Sequence, residues 1–201
     1  SDRGIVACVK PVGLDSEAEL PAALKETIGG EIFPIHRLDK NVGGVMVYAR
    51  TKAAAAALSK AIQDNAMIKE YVALVHGTPP ESGDWEDLLF KDSRKNKSFV
   101  VERMRKGVKE ARLAYRVIST REMEGQPRSA VQILLYTGRT HQIRVQFASR
   151  RSPLWGDSRY GGKGHGGLGL WSCRLSFPHP VTQETLTGES LPDWQAVPWC
   201  Y

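Results

Sequence analysis

"HRLDKNVGGVMVYART", residues 36–51, joins three kinds of sequence in one short stretch. His36, Arg37 and Asp39 make a polar head, Val45-Met46-Val47-Tyr48-Ala49 is an apolar run, and Thr51 stands where a helix can be capped. An apolar run of that length behind two glycines reads as a buried strand over residues 44–49. The residues after it read as a helix to about Asn65: Thr51 can accept hydrogen bonds of the first turn, five consecutive alanines follow, and Leu58 and Ile62 share a face. The polar head is open to two readings. Arg37 and Asp39 are either an ion pair capping the strand or two separate groups of a site.

Outward from this stretch, residues 5–9 read as a strand stopped at Lys10-Pro11, with Gly13 supplying a turn, and residues 20–28 as a helix opened by Pro21 and closed by Gly29-Gly30. Residues 69–77, KEYVALVHG, are too short for a typical helix and rich in β-formers, so they read as a central strand before the turn Thr78-Pro79-Pro80. Residues 98–102 and 113–119 are strand-like around Lys106-Gly107, and a strand at 131–136 runs into Thr137-Gly138-Arg139-Thr140. There Gly138 is expected to take a left-handed backbone and Thr140 to cap a helix. On that helix Ile143 and Phe147 share one face, His141 and Arg144 another. Six glycines in residues 161–169 exclude regular structure and give a flexible loop, before a last strand at 168–177 that ends at Pro178-His179-Pro180. Strands with interspersed helices but no βαβ rhythm point to an α+β fold with a mixed, largely antiparallel sheet and flanking helices. No repeat or linker divides the chain, so residues 1–201 are expected to form a single domain.

The 201 residues can bury a substantial core, and 41% hydrophobic with 25% charged residues is an ordinary globular balance. Apolar runs fall far short of the roughly 20 residues of a membrane span. The opening Ser1-Asp2-Arg3 and the short run behind it do not read as a signal peptide, and Ser1 in place of a start methionine is expected to reflect processing or expression. Cys8, Cys173 and Cys200 are odd in number, widely spaced and without a Cys-x-x-Cys pair, which argues against a disulfide framework and a zinc site and fits a reducing cytoplasm. The net charge of +6 is concentrated: residues 91–112 hold nine basic residues against three acids. Arg139, Arg144, Arg150, Arg151 and Arg159 stand against Asp157 alone, which leaves the remaining chain net acidic. Such clusters suit a polyanion, whose condensed counterions are released as phosphates are neutralised. From charge alone a solvated surface hairpin is an equal reading.

Three polar segments fall at strand ends: residues 36–39, residues 69–71, and the stretch GRTHQIR at residues 138–144. Strand ends are where a sheet assembles a site from distant parts of the chain. With Val9-Lys10-Pro11-Val12-Gly13-Leu14, "GRTHQIRVQFASRRSPLWGDSRYGG" at 138–162 and "LWSCRLSFPHP" at 170–180, these segments resemble, in order and over nearly the whole chain, one enzyme family. It is the pseudouridine synthases of the large-subunit rRNA and tRNA class, the RluA family.

The resemblance implies the pseudouridine synthase fold, isomerisation of uridine in rRNA or tRNA, and RNA as partner. Uracil is detached through N1 and rejoined through C5; the change is redox-neutral and the leaving group is the returning nucleophile, so neither cofactor nor metal is expected. A glycosidase, by contrast, uses two carboxylates flanking the bond. On the matching positions Asp39 is the catalytic aspartate, acting on the sugar or on the uracil ring. Arg144 is its ion-pair partner, with phosphate contact as the other reading. Tyr71 is the active-site tyrosine, stacking on the extracted uracil, with a core aromatic as the other reading. Arg37 corresponds to the residue that fills the gap left by the flipped nucleotide, so it need not pair with Asp39. Lys69 is an electrostatic or structural helper, and Arg139, Thr140, His141 and Ile143 belong to the substrate-binding segment.

Two departures from the family pattern stand out: Val42-Gly43-Gly44 where Thr-Ser-Gly is common, and Gln146 where a His is frequent. Many relatives carry a separate RNA-binding domain; here the basic residues 91–112 are expected to take that part. The five tryptophans and the other histidines read as packing or surface groups. A catalytically silent RNA-binding paralogue and a nucleoside hydrolase are the competing readings, and a cytoplasmic monomer is expected.

Overall fold

Residues 4–123, 125–196 and 198–200 are described by the computed structural model; Ser1-Asp2-Arg3, and with them the reading of the terminus, lie outside the described residues. In chain order the elements are β1 (Ile5–Lys10), α1 (Glu19–Ile28), β2 (Phe33–Pro34), β3 (Gly43–Ala49), α2 (Lys52–Gln63), β4 (Ile68–His76) and β5 (Ser82–Asp92). They continue with β6 (Lys97–Val101), β7 (Val108–Met123), β8 (Gln126–Leu135), α3 (Gln142–Ser149), a 3-10 turn at Ser158–Tyr160, β9 (Leu170–Pro178) and β10 (Thr185–Glu189). The chain divides into two compact units: Ser1–Lys69 with Trp171–Pro192, and Glu70–Leu170 with Asp193–Tyr201.

In the first unit β3 is buried along its whole length, which is why its sequence is a continuous apolar run rather than an alternating one. It pairs antiparallel with β1 and parallel with β9, while β2 adds to β3 and β10 to β9. Ala54, Leu58 and Ala61 of α2 are buried, the i, i+4, i+7 spacing of a helix stripe. Ala54 and Leu58 share a core with Ile5, Val45, Val47, Leu175 and Phe177. Burying Leu58 completely contributes about 1.5–3 kcal/mol. Thr51 caps α2 as expected, its hydroxyl accepting the Ala54 N–H at 3.1 Å.

In the second unit the strand order is β4-β8-β7-β5-β6, and β7 pairs antiparallel with both β8 and β5. Rings of Trp85, Tyr115 and Phe147 meet at 4.5–5.2 Å and seat α3. Antiparallel pairs dominate and the β3–β9 pair is parallel, so the class is α+β with a mixed, mostly antiparallel sheet, as expected. Among the described residues no helix is long and apolar enough to cross a membrane.

Several local expectations need correction. β5, β2 and β10 were not anticipated, and β7 and β8 are longer than the strands expected at 113–119 and 131–136. At the start of α3 the left-handed residue is His141 (φ 53°) rather than Gly138, and the N-cap is His141 rather than Thr140. The reason is Gln142. Its buried Oε1 accepts the Arg139 N–H at 3.0 Å and the Thr137 hydroxyl at 2.8 Å, and its Nε2 donates to the Arg112 carbonyl at 3.1 Å, so its side chain closes the turn. The glycine tract has no regular structure, yet it is tethered to β4: Leu74 donates to the Gly169 carbonyl at 2.9 Å and His76 bonds the Lys163 carbonyl at 2.8 Å.

Candidate active site

Asp39 lies in the loop entering β3, in a turn closed by Val42 N–H on the Asp39 carbonyl at 2.9 Å. Leu38 is buried, Arg37 exposed and Asp39 half-buried, so Arg37 and Asp39 project to the same side with Leu38 as the anchor between them. The residues behind the loop come from the Lys10-Pro11 segment. Ser16 Oγ donates to the Leu38 carbonyl at 2.8 Å and accepts the Leu38 N–H at 3.1 Å, and the Tyr48 hydroxyl secures the Ser16 carbonyl at 2.8 Å. Lys10, with no exposed surface, donates from Nζ to the carbonyls of Pro11 (2.9 Å), Leu14 (2.8 Å) and Lys40 (3.2 Å). Burial pulls its pKa down, against the charges of Asp15, Asp39 and Glu19, which favour the ammonium.

His36 fastens the other end of the loop: its Nε2 accepts the Val47 N–H at 3.1 Å. Burial first, then the charge of Lys69, push its pKa down to about 3, so it is neutral at pH 7. Arg37 reaches Glu17 at 3.4 Å in an exposed pair worth little, and stays available to a ligand.

The departure at Val42-Gly43-Gly44 has a steric counterpart. A Cβ on Gly43 would lie 2.2 Å from Cζ3 of Trp171, whose indole N–H is held by the Ser190 carbonyl at 3.1 Å. Gly44 has φ +120°, and a Cβ there would lie 2.2 Å from the Ser172 carbonyl oxygen. The indole therefore occupies the space a side chain at 43 would need.

Arg37, Asp39 and Lys69 belong to the first unit; Tyr71, Arg139, Thr140, His141, Ile143 and Arg144 belong to the second. Tyr71 is buried on β4, beside Glu70, which accepts from Gln132 Nε2 at 2.7 Å. Arg144, in the first turn of α3, donates from Nε and Nη2 to the two carboxylate oxygens of Asp157, both at 2.7 Å. Such a fork-to-fork pair fixes the guanidinium plane as well as its position. Its Cζ is 5.3 Å from the centre of the Tyr160 ring, and His141 Nδ1 is 3.0 Å from the Tyr160 hydroxyl. His141 and Arg144 thus do share a neighbour, although His141 precedes the helix. Ile143 is buried; Arg139 Nε donates to the Glu110 carbonyl at 2.7 Å; the Thr140 carbonyl accepts from Ser98 Oγ at 2.6 Å. Gln146, the second departure, is fully buried and donates to Asp87 at 2.7 Å, alongside Arg150.

Asp157 and Tyr160 were not singled out as site residues from sequence. The available signal was the Gly156-Asp157-Ser158-Arg159-Tyr160-Gly161-Gly162 string, whose tight turn requires glycine: a Cβ on Gly162 would lie 1.9 Å from the Leu154 carbonyl oxygen.

The basic segment forms the β5–β6 hairpin and the start of β7. Asp92 Oδ1 shapes the hairpin turn by accepting the N–H groups of Arg94 (2.9 Å) and Lys95 (3.2 Å). Lys91, Arg94, Lys95, Arg103, Arg105, Lys106 and Lys109 are exposed, whereas Arg112 is held by Asp84 at 2.9 Å and Glu86 at 3.3 Å. Among the described residues no group of three or more His, Cys, Asp or Glu side chains is placed to hold a metal ion.

The chain belongs to the RNA pseudouridylate synthase family, which matches residues 6–149. It is 34% identical over 168 residues to the ribosomal large subunit pseudouridine synthase D of Vibrio cholerae, covering 76% of this chain and 50% of that one. It is 29% identical over 222 residues to the tRNA pseudouridine synthase C of the same organism, covering 92% and 86%. Human RNA Pseudouridylate Synthase Domain Containing 1 has the same fold, with a TM-score of 0.83, 23% identity, and coverage of 96% of this chain and 82% of that one. The chain spans about half the length of the first of these relatives.

Proposed function

We propose that the chain is an RNA pseudouridine synthase that isomerises specific uridines of rRNA or tRNA, with Asp39 as the essential carboxylate. The observation that carries this reading is the bracing of the Asp39 loop by buried Lys10, Ser16 and Tyr48, in a chain of this family. That bracing presents a half-buried carboxylate beside an exposed guanidinium on one side of an otherwise anchored loop.

In this reading the target nucleotide leaves its helix at a cost of a few kcal/mol of stacking, and Arg37 takes its place in the stack. Asp39 attacks either the ribose or the uracil ring as the N1 bond breaks. The base turns, C5 bonds to the ribose, the bond to Asp39 breaks so that the carboxylate is regenerated, and the C5 proton is lost while N1 regains one, so no electrons are gained or lost and no cofactor enters. Tyr71 stacks on the uracil and assists the C5 proton transfer, and Arg144, oriented by Asp157, meets the substrate as a fixed guanidinium. Lys69 adds positive potential, Arg139, Thr140 and His141 position the RNA, and Ile143 backs them from the core. The exposed cations of the β5–β6 hairpin hold the phosphates. In this reading residues 1–201 act as one catalytic domain, of which the family match covers residues 6–149. On the same reading the protein is cytoplasmic and acts as a monomer.

The test is tritium release from RNA labelled at uridine C5. Wild type releases label and Asp39→Asn does not; equal release from both sinks the assignment of Asp39, and free uracil among the products would mean hydrolysis instead.

A further inference from the structure

One short turn ties the basic hairpin to Arg144. At its start the wholly buried Asp157 grips the Nε–Nη2 edge of the guanidinium with both carboxylate oxygens at 2.7 Å. At its end the Tyr160 ring lies 5.3 Å from the Arg144 Cζ and 5.0 Å from the Lys97 ammonium of β6. The Tyr160 hydroxyl accepts the Ser98 N–H of β6 at 2.8 Å and pairs with His141 Nδ1 at 3.0 Å. Between them Arg159 donates to the carbonyls of Asn96 (2.9 Å) and Lys95 (3.3 Å) in the hairpin turn. Residues 157–160 therefore face Arg144 through one set of bonds and the hairpin through another.

We propose that Tyr160 is a positioning residue: its hydroxyl holds the hairpin strand and the His141–Arg144 turn at a fixed spacing, so that RNA gripped by the hairpin meets an Arg144 already oriented. The proposal rests on the pseudouridine synthase reading. The structure separates it from two plainer roles. A packing residue needs only its ring, yet the hydroxyl makes a hydrogen bond to a strand backbone and another to a loop histidine. A phosphate ligand would need a cation or a free donor, and Tyr160 instead lies against two cations. Because misplacement of a reacting group by about 1 Å can cost on the order of a hundredfold in rate, a bond far weaker than the ion pair it supports can matter for turnover.

The test compares wild type, Tyr160→Phe and Arg159→Gln, the last exposed and safe for the fold, in tritium release over a range of RNA concentrations. It adds the hydrogen-exchange rate of the Arg144 Nε–H by NMR, assigned with Arg144→Lys. Tyr160→Phe is expected to lower kcat about tenfold with KM within about twofold, and to speed exchange at Nε–H; Arg159→Gln is expected to do the same more weakly. Unchanged kcat and exchange, a loss confined to KM, or a fall in melting temperature alone overturns the proposal. Absence of tritium release from wild type would refute the enzyme reading instead, and the exchange measurement would still decide the positioning role.

Discussion

Gly43 and Trp171 face each other across the parallel pairing of β3 and β9, and the indole ring stands where a Cβ at 43 would have to be. Gly43→Ser, which restores the residue common in the family, is therefore expected to destabilise the chain by roughly 1–3 kcal/mol through overpacking. Urea denaturation measures it. Trp171→Leu in the same chain should recover part of the loss, and full stability of the single variant would show that the indole yields freely.

Lys10 supports the Asp39 loop from within. Lys10→Met keeps the bulk of the side chain but leaves the Pro11 and Leu14 carbonyls without their Lys10 donor and the Lys40 carbonyl with the Gly13 N–H, at a cost of about 2–4 kcal/mol. Protection of the Gly13 amide, which donates to the Lys40 carbonyl at 2.8 Å, should fall with it in hydrogen exchange. A variant with wild-type stability and protection would remove the ammonium from any supporting role.

His36 makes stability depend on pH. Its folded pKa of about 3 lies below the ordinary histidine value, so the unfolded chain binds a proton that the folded chain refuses. The contribution is fully present above about pH 6.5 and is lost as pH falls toward 3, at up to about 1.4 kcal/mol per pH unit. Denaturation of wild type and His36→Asn between pH 7 and pH 4 isolates it: the variant should lose less on acidification, and parallel curves would contradict the assignment.

RNA affinity should fall with salt in proportion to the phosphates engaged. Arg94→Ala with Lys95→Ala is expected to lower the slope of log K against log salt by about 1–2 units, whereas Arg112→Ala, whose guanidinium is spoken for by Asp84 and Glu86, should leave it nearly unchanged. Filter binding at several salt concentrations checks both, and equal effects would place RNA elsewhere than the hairpin turn.

What could be read in advance follows from where the physics is local. β3 and α2 were legible because a strand buried on both faces is a continuous apolar run and a capped alanine helix announces itself within one turn. β5 was not, since Asp84, Glu86 and Asp87 break its pattern; their reasons are Arg112, Gln146 and Arg150, all distant in the chain. Asp39, Tyr71 and Arg144 are proposed from resemblance rather than from spacing. The grip of Asp157 on Arg144 and the reach of Lys10 to Lys40 are tertiary facts without a short-range signature. The misplaced cap at Thr140 shows the reverse error, in which Gln142 did with its amide what a glycine and a threonine were expected to do.

The pairing of β3 with β9 also sets an order of events. Ser172 Oγ donates to the Val45 carbonyl across 127 residues of chain, and it is the Ser172 backbone that forbids a side chain at Gly44. A growing polypeptide can join β1 to β3 early, but the parallel partner emerges 127 residues later, and such distant closures are slow. The strand that receives the Asp39 loop is therefore completed late, and the seating of that loop waits on a pairing distant in the chain.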